Sequence, residues 1–306
     1  IIITYLNKLG KIMITKGVYA ASLSIINEDL SLNINETILH ATSLIEKGLH
    51  GAFFFGSTGQ SQLIAMSEKK DLISKLSSHK LRRHFFLGTG NNSFKENVEL
   101  IKYSMEYNFN TFLIMPPAYY KGITDNGVFE FYSKIISEVP KIKIIIYNFE
   151  KLSGFKFTPE LVSKLVNAFP KNIIGCKDSS YNLFEVLKIP NFLMFPGSEA
   201  KLLKGLNLGC SGCISAVTNV THSLSRKVFD DFENKTKQTS NERLILIRET
   251  FDEYNLISAL HSFMSVNKKI YCNLLPPLNL LSLEKQKELL KKLEQLKFFN
   301  SNNIAA

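Results

Sequence analysis

Short apolar runs alternate with amphipathic stretches from residue 17 to about residue 235. The apolar runs begin at Gly17 (GVYAASL), Gly51 (GAFFFG), His84 (HFFLGTG), Thr111 (TFLIM), Lys143 (KIIIYN), Ile173 (IIGCK), Asn191 (NFLMFPG) and Gly212 (GCISA). Each has the length of a strand and is apolar almost throughout, the pattern of parallel strands buried on both faces. The stretches between them carry helical spacing, as in Ile38, Leu39, Ala41, Thr42, Leu44 and Ile45. Start signals support several of these helices. Ser67-Glu68-Lys69-Lys70 opens one, Ser93 with Glu96 forms a capping-box pattern, and Thr158 stands directly before Pro159 at a helix start.

Eight such β/α units predict an α/β fold, and eight is the number that closes a (β/α)8 TIM barrel. A doubly wound open sheet is the alternative. It usually carries a Gly-rich phosphate loop after its first strand, and the segment after Val18-Tyr19-Ala20-Ala21 has no G-x-G-x-x-G. The barrel is therefore expected over residues 14–236. Beyond residue 240 the strands stop, and 242–264 and 282–298 read as helices around Pro276-Pro277. Residues 237–300 are expected to form a helical region packed on the barrel.

Composition narrows the function classes. Of 306 residues, 45% are hydrophobic and 21% charged, ordinary values that exclude a disordered or collagenous chain. No apolar run approaches the roughly 18–20 residues of a membrane span. The net charge is +10, carried by 37 basic residues of which only five are arginine. The lysines are scattered along predicted helices with no basic–aromatic interleaving, which favours a solvated surface over nucleic-acid binding. Cys210-Ser211-Gly212-Cys213 is formally a C-x-x-C, but a zinc ribbon needs a second pair, and Cys213 falls in a predicted strand, so both read as buried thiols. Residues 1–11 lack a signal-peptide pattern, which makes the cytoplasm the expected compartment.

A barrel of this kind places its active site at the carboxyl ends of the strands. Those ends carry Gly56-Ser57-Thr58-Gly59-Gln60, Pro116-Pro117-Ala118-Tyr119-Tyr120, Tyr147-Asn148, Lys177-Asp178-Ser179-Ser180, Gly197-Ser198-Glu199 and Ser215. No His/Asp/Glu cluster with metal spacing and no facing carboxylate pair is among them. Alternation puts Ile173, Gly175 and Lys177 on one side of their strand, so Lys177 is expected to point into the barrel mouth. A lysine desolvated there attacks carbonyl carbon; a lysine snorkelling to solvent is the alternative. Tyr147, last on the neighbouring strand, is expected beside Lys177 as a proton carrier or as a core tyrosine. The Gly-Ser-Thr-Gly turn offers hydroxyls and free amides, a nest suited to a carboxylate.

Together these segments resemble the pyruvate-dependent Schiff-base aldolases, the family of dihydrodipicolinate synthase, N-acetylneuraminate lyase and 2-keto-3-deoxygluconate aldolase. Gly56-Ser57-Thr58-Gly59 resembles the family's G-[ST]-T-G-E turn, Pro116 to Tyr120 its P-x-Y-Y loop, Tyr147-Asn148 its Y-N, and Gly175-Cys176-Lys177-Asp178 its G-x-K-[DE/Q]. The resemblance implies that Lys177 forms an imine with pyruvate and that Tyr147 shuttles protons. It implies that Ser57 and Thr58 hold the pyruvate carboxylate, and that Tyr120 matches a tyrosine lent by a neighbouring subunit. It also implies a homotetramer, small-molecule substrates (pyruvate and an aldehyde), and no metal or nucleotide cofactor.

The departures from the family pattern bear on the aldehyde. Gln60 stands where glutamate is usual, and Leu152 where the synthase branch has an arginine for the carboxylate of aspartate semialdehyde. None of the five arginines lies at a strand end. Leu152-Ser153-Gly154 resembles the A-L-S-G of the neuraminate lyase branch. Ser179 supplies a hydroxyl where the aldolase branches have threonine. Glu199 is one acid where the lyase branch has two, so a shorter sugar-acid tail is expected, with Ser215 completing the substrate-binding set. The expected reaction is synthesis or cleavage of a 2-keto-3-deoxy sugar acid or an N-acetylneuraminate-like substrate. Alternatives are dihydrodipicolinate synthase with Lys151 or Lys121 replacing the arginine, a dehydratase or hydratase, and a binding barrel without activity.

Overall fold

The computed structural model describes residues 14–298; the expectations for residues 1–11 and for the last two residues of the C-terminal region, 299–300, fall outside them. Eight parallel strands form one sheet: β1 (Gly17–Ala21), β2 (Gly51–Phe54), β3 (Phe85–Gly88), β4 (Thr111–Ile114), β5 (Lys143–Asn148), β6 (Ile173–Asp178), β7 (Leu193–Pro196) and β8 (Gly212–Ser215). They run in the order β7-β6-β5-β4-β3-β2-β1-β8, and β8 pairs with β1. The remaining seam between β7 and β8 is bridged where the Ser211 N–H donates to the Met194 carbonyl at 2.7 Å. The sheet is thus the nearly closed (β/α)8 barrel that the eight-unit pattern predicts.

Helices α1 (Ile34–Glu46), α2 (Met66–Leu76), α3 (Phe94–Glu106), α4 (Asp125–Glu138), α5 (Glu150–Ser153), α6 (Pro159–Ala168), α7 (Leu202–Asn207) and α8 (Thr218–Glu233) fall between and after the strands. Ser93 caps α3 by accepting from the Glu96 N–H at 3.4 Å, and Thr158 caps α6 by accepting from the Leu161 N–H at 3.1 Å. The start of α2 differs from expectation. The helix begins at Met66, not Ser67, because the Glu68 carboxylate turns back to the Ala65 N–H at 3.2 Å and also takes the Leu32 N–H at 2.6 Å.

Beyond the barrel stand α9 (Asn241–Asp252), α10 (Leu256–Ser265) and α11 (Leu283–Gln295). The single helix expected over 242–264 is two helices. Asn255 breaks it, its side chain accepting from the Ser258 N–H at 3.1 Å to cap a new start. These helices bury Ile247, Phe251, Leu260 and Leu289 against Leu23 and Ile25, which follow β1.

Inside the barrel, rings from four strands meet. Tyr19 lies 6.0 Å from Phe53, 5.7 Å from Phe86 and 5.8 Å from Phe195, all edge-on. β1 and β7 are not neighbours in the sheet, so these rings cross the interior and fill it. Each such pair adds about 0.5–1.5 kcal/mol beyond its buried area. This aromatic floor leaves the carboxyl ends of the strands as the place where polar side chains face inward. Cys176, Cys210 and Cys213 are buried free thiols, as expected of the C-x-x-C pair, and burial pushes all three thiols up.

Candidate active site

The register of β5 and β6 sets the centre of the site. Tyr147 stands opposite Lys177, and Asn148 opposite Asp178. Register neighbours in parallel strands share a face, and Lys177 also lies opposite Phe195 of the barrel interior. Lys177 is 3% exposed, and its Nζ lies 4.3 Å from the centroid of the Tyr147 ring. Among the described residues no carboxylate lies within ion-pairing distance of that amine. The Tyr147 hydroxyl in turn lies 3.1 Å from the Ser57 hydroxyl. Amine, phenol and hydroxyl turn therefore form one continuous line from β6 to the loop after β2.

The next residue on each strand points the other way and locks the pair. Asp178 accepts from Asn148 Nδ2 at 2.8 Å, and from the backbone N–H groups of Tyr181, Leu183 and Phe184 at 3.0, 2.8 and 3.0 Å. Asn148 also donates to Asn182 at 2.8 Å and accepts from the Phe157 N–H at 3.2 Å. Each buried acceptor here has its donor, so moving either strand end would leave polar groups unpaired. The sequence motifs contain both residues, but nothing in their spacing distinguishes a locking side chain from a reacting one.

The loop after β2 makes a tight turn over Ser57–Gly59, with Thr58 buried and Ser57 half-buried. Ser24 Oγ donates to the Gly59 carbonyl at 2.7 Å and pins the turn to the loop after β1. Gln60 continues it in the left-handed region (φ 56°), and its Oε1 accepts from the Leu275 N–H at 2.8 Å. Gln60, at the position where the resemblance would place a glutamate, thus ties the turn to the C-terminal region.

A cavity of about 150 Å³ opens beside Tyr147, walled by Ser57, Thr89, Asn91, Met115 and Leu152 among others. Leu152, on α5, brings an apolar side chain to that wall. Lys121 lies against Gly154, where a Cβ would come within 2.5 Å of its Nζ. Ser179 follows β6 and donates its N–H to the Asn148 carbonyl at 2.8 Å. Its hydroxyl packs so closely on Gly197 that a Cβ there would come within 2.0 Å of it. Tyr119 and Tyr120 stand outside the cavity, 80% and 72% exposed, with their rings 5.3 Å apart. Within one chain, Tyr120 is not brought to Lys177 and Tyr147.

The ends of β7 and β8 are built differently. Glu199 is wholly buried and already has three donors. Ser215 Oγ and Arg248 Nη1 (3.1 Å) bond its Oε2, and Thr221 Oγ bonds its Oε1 at 3.1 Å. Arg248 comes from α9, also donates to Ser215 Oγ at 3.0 Å, and pairs with Asp252 at 2.9 Å. Burial works against the guanidinium charge, but Glu199 and Asp252 outweigh it and hold Arg248 above its ordinary range. Glu199 and Ser215, expected to meet substrate, thus hold each other and an arginine. That arginine reaches the strand ends from a helix, which is why a search of the strand ends misses it. Among the described residues no three His, Cys, Asp or Glu side chains gather to hold a metal ion, and no helix is long and apolar enough to cross a membrane.

Comparison with known proteins bears on this arrangement. The 4-hydroxy-tetrahydrodipicolinate synthase of Hydrogenobaculum sp. (strain Y04AAS1) is 32% identical over 265 residues, 81% of this chain and 88% of that protein. The 2-dehydro-3-deoxy-D-gluconate/2-dehydro-3-deoxy-phosphogluconate aldolase of Picrophilus torridus is 26% identical over 257 residues, 80% of this chain and 95% of that protein. The crystal structure of YagE, a prophage protein of the dihydrodipicolinic acid synthase family from E. coli K12 in complex with pyruvate, superposes with a TM-score of 0.85. It is 22% identical and covers 94% of this chain and 100% of its own. Residues 14–296 match the dihydrodipicolinate synthetase family as a whole. With its eight-stranded barrel and the lysine–tyrosine pair at the carboxyl ends, the chain belongs to the dihydrodipicolinate synthetase family of lyases and aldolases.

Proposed function

We propose that this chain is a pyruvate-dependent class I aldolase or lyase working through an imine on Lys177. The observation that carries the reading is the line from Lys177 Nζ over the Tyr147 ring to the Ser57 hydroxyl, 4.3 and 3.1 Å. In this mechanism the neutral amine attacks C2 of pyruvate and water leaves, giving an iminium. Loss of a C3 proton through Tyr147 forms an enamine, whose C3 attacks the aldehyde carbon. The alkoxide takes a proton, again by way of Tyr147, and water releases the product from Lys177. The reverse sequence cleaves the same bond. Amides and hydroxyls of Ser57 and Thr58 hold the pyruvate carboxylate, and Ser179 adds a hydroxyl near the lysine. The chemistry assigns no role to a metal or nucleotide.

For the aldehyde, we assign a neutral sugar aldehyde, and so a 2-keto-3-deoxy sugar acid or N-acetylneuraminate-like product. Leu152 at the cavity wall supports this, because it offers no charge to a second carboxylate. In the complex Glu199 and Ser215 reach the sugar hydroxyls only by sharing bonds they now make with Arg248 and Thr221, which favours a short tail. The second reading is the synthase reaction with aspartate semialdehyde, favoured by the identity to the Hydrogenobaculum synthase. The assembly in this reading is a cytoplasmic homotetramer in which Tyr120 completes a neighbour's site. Borohydride reduction in the presence of pyruvate tests the imine: a covalent adduct at Lys177 supports both enzyme readings, and its absence returns the barrel to a binding role. A panel of glyceraldehyde, N-acetylmannosamine and aspartate semialdehyde with pyruvate then separates the two. Light scattering in solution tests the tetramer.

A further inference from the structure

Lys69 on α2 is a buried cation that the proposed chemistry does not use. It is 1% exposed, yet it makes no ion pair among the described residues. Its Nζ donates to the carbonyls of Thr89 and Gly90 at 3.1 and 3.3 Å and to Asn91 Oδ1 at 2.7 Å. An ammonium has three N–H donors and no acceptor, so the turn after β3 satisfies it completely with uncharged oxygens. A neutral amine in the same place keeps two N–H groups and turns a lone pair toward an oxygen.

What those three acceptors belong to matters. Thr89, Gly90 and Asn91 form a wall of the cavity that also contains Tyr147 and Ser57. Gly90 sits in the left-handed region (φ 59°), and a Cβ there would come within 2.4 Å of Ser61 and 3.0 Å of the Phe55 carbonyl. The turn after β3 therefore lies flush on the loop after β2, the same loop that carries Ser57 and Thr58. Its far side is held by Asn97, which donates to the Asn91 and Ser93 carbonyls at 3.0 and 2.8 Å. Lys69, from α2, holds the carbonyls of Thr89 and Gly90 and the Asn91 side chain.

We propose that Lys69 is a positioning residue: its ammonium clamps the turn at residues 89–91 to α2, beside the loop after β2, and so fixes the cavity wall that receives the second substrate. Its charge is in play near neutral pH. Burial pulls its pKa down to about 8, and only the carboxylate of Glu96 on α3 opposes this. On its own helix Glu68 is spent on the N–H groups of Leu32 and Ala65, and Lys70 on Glu99. As pH rises through 8 the clamp loses its third donor and the wall loosens. The kinetic part of this inference rests on the pyruvate-aldolase reading above; the structural part does not.

The test has two arms. Amide hydrogen exchange of residues 89–92 reads the clamp directly. In the wild type, protection of these amides should fall above pH 8 relative to the barrel strands. In Lys69→Met they should exchange about tenfold faster at pH 7, the worth of one or two net hydrogen bonds. Lys69→Arg, which stays charged, should keep the protection flat to pH 10. In the second arm, with pyruvate saturating, KM for glyceraldehyde should rise about tenfold in Lys69→Met and lose its alkaline rise, while kcat stays within about threefold and pyruvate still traps on Lys177. Wild-type protection at 89–92 in Lys69→Met, or an unchanged KM with the same alkaline rise, overturns the proposal. If the wild type traps no pyruvate, the functional reading falls, and the exchange arm decides the clamp alone. The wild-type exchange profile needs no variant, so the outcome does not depend on Lys69→Met folding.

Discussion

The two halves of the barrel mouth use similar residue types to opposite ends. On the β5–β6 side, Lys177 is buried without a carboxylate partner and Tyr147 bonds one hydroxyl, next to an open cavity. On the β7–β8 side, Glu199 is equally buried but carries three donors, one of them an arginine. The groups to which the proposed mechanism gives chemistry are those the fold leaves short of partners, while the fully partnered ones hold the fold together. The difference lies in what packs behind each side: Asp178 and Asn148 take the bonding load at β5–β6, so Lys177 and Tyr147 are free of it. At β7–β8 the C-terminal helices arrive directly on the strand ends, and Glu199 itself takes the load.

The sharpest way to break this contrast is at Lys177. Lys177→Ala should abolish borohydride trapping of pyruvate while leaving the melting temperature within a few degrees of wild type. An adduct that survives in the variant would place the nucleophile elsewhere. Tyr147→Phe should lower turnover by roughly 10²–10⁴-fold, the usual worth of a positioned acid–base group, with pyruvate binding retained. Steady-state kinetics at wild-type rates would make Tyr147 a core residue.

The locked side should answer in stability instead. Glu199→Ala leaves the buried Arg248 guanidinium with the half-exposed Asp252 as its one carboxylate partner and should cost about 3–5 kcal/mol in urea unfolding. Replacing both Glu199 and Arg248 with methionine should recover most of that loss, because no charge is then left buried alone. A Glu199→Ala protein of normal stability that no longer turns over would reverse the assignment of the two sides.

Acid should also act on the locked side. His40 bonds Asn219 and Tyr271 at 2.7 and 2.9 Å in the seam between barrel and C-terminal helices, and His261 bonds the Tyr271 carbonyl at 3.0 Å. Burial lowers both to about 4. An unfolded histidine titrates near 6.5, so the unfolded chain binds these protons first. The stabilisation is complete above about pH 6.5 and is lost as pH falls toward 4, by up to roughly 3 kcal/mol per histidine. His50, also lowered to about 4 chiefly by burial, adds an effect of the same sign at the barrel's other end. Unfolding midpoints at pH 7 and pH 5 measure it, and His40→Gln should flatten the slope.

The smallest expected effect sharpens the reading of the open side. Leu152→Arg should raise kcat/KM with aspartate semialdehyde about 10–150-fold, the worth of one charge-assisted hydrogen bond of about 1.5–3 kcal/mol. Neutral sugar aldehydes should lose efficiency in the same variant. Unmodified protein that already prefers aspartate semialdehyde would instead point to a cation such as Lys121, which lies against Gly154 near that wall.

Much of this was legible in the chain. Eight apolar runs set the barrel, because strand periodicity is local. Alternation along Ile173, Gly175 and Lys177 was expected to set the direction of the lysine, but the register of β6 on β5 shifts between Ile173 and Gly175, so only the step from Gly175 to Lys177 keeps one face. The adjacency of Tyr147 and Lys177 followed from two strands ending together, and the structure pairs them in register. The break at Asn255 and the true start of α2 were less legible, since both depend on which of several polar side chains wins a backbone N–H. The partners of Glu199 were not legible at all. Arg248 lies 49 residues away on a helix outside the barrel, and Lys69 meets its acceptors 20 to 22 residues further on. Spacing reports which residues share a strand or a helix face. Whether a charged group there is left free or fully partnered depends on what another element, distant in sequence, brings against it, and only the packed structure decides that.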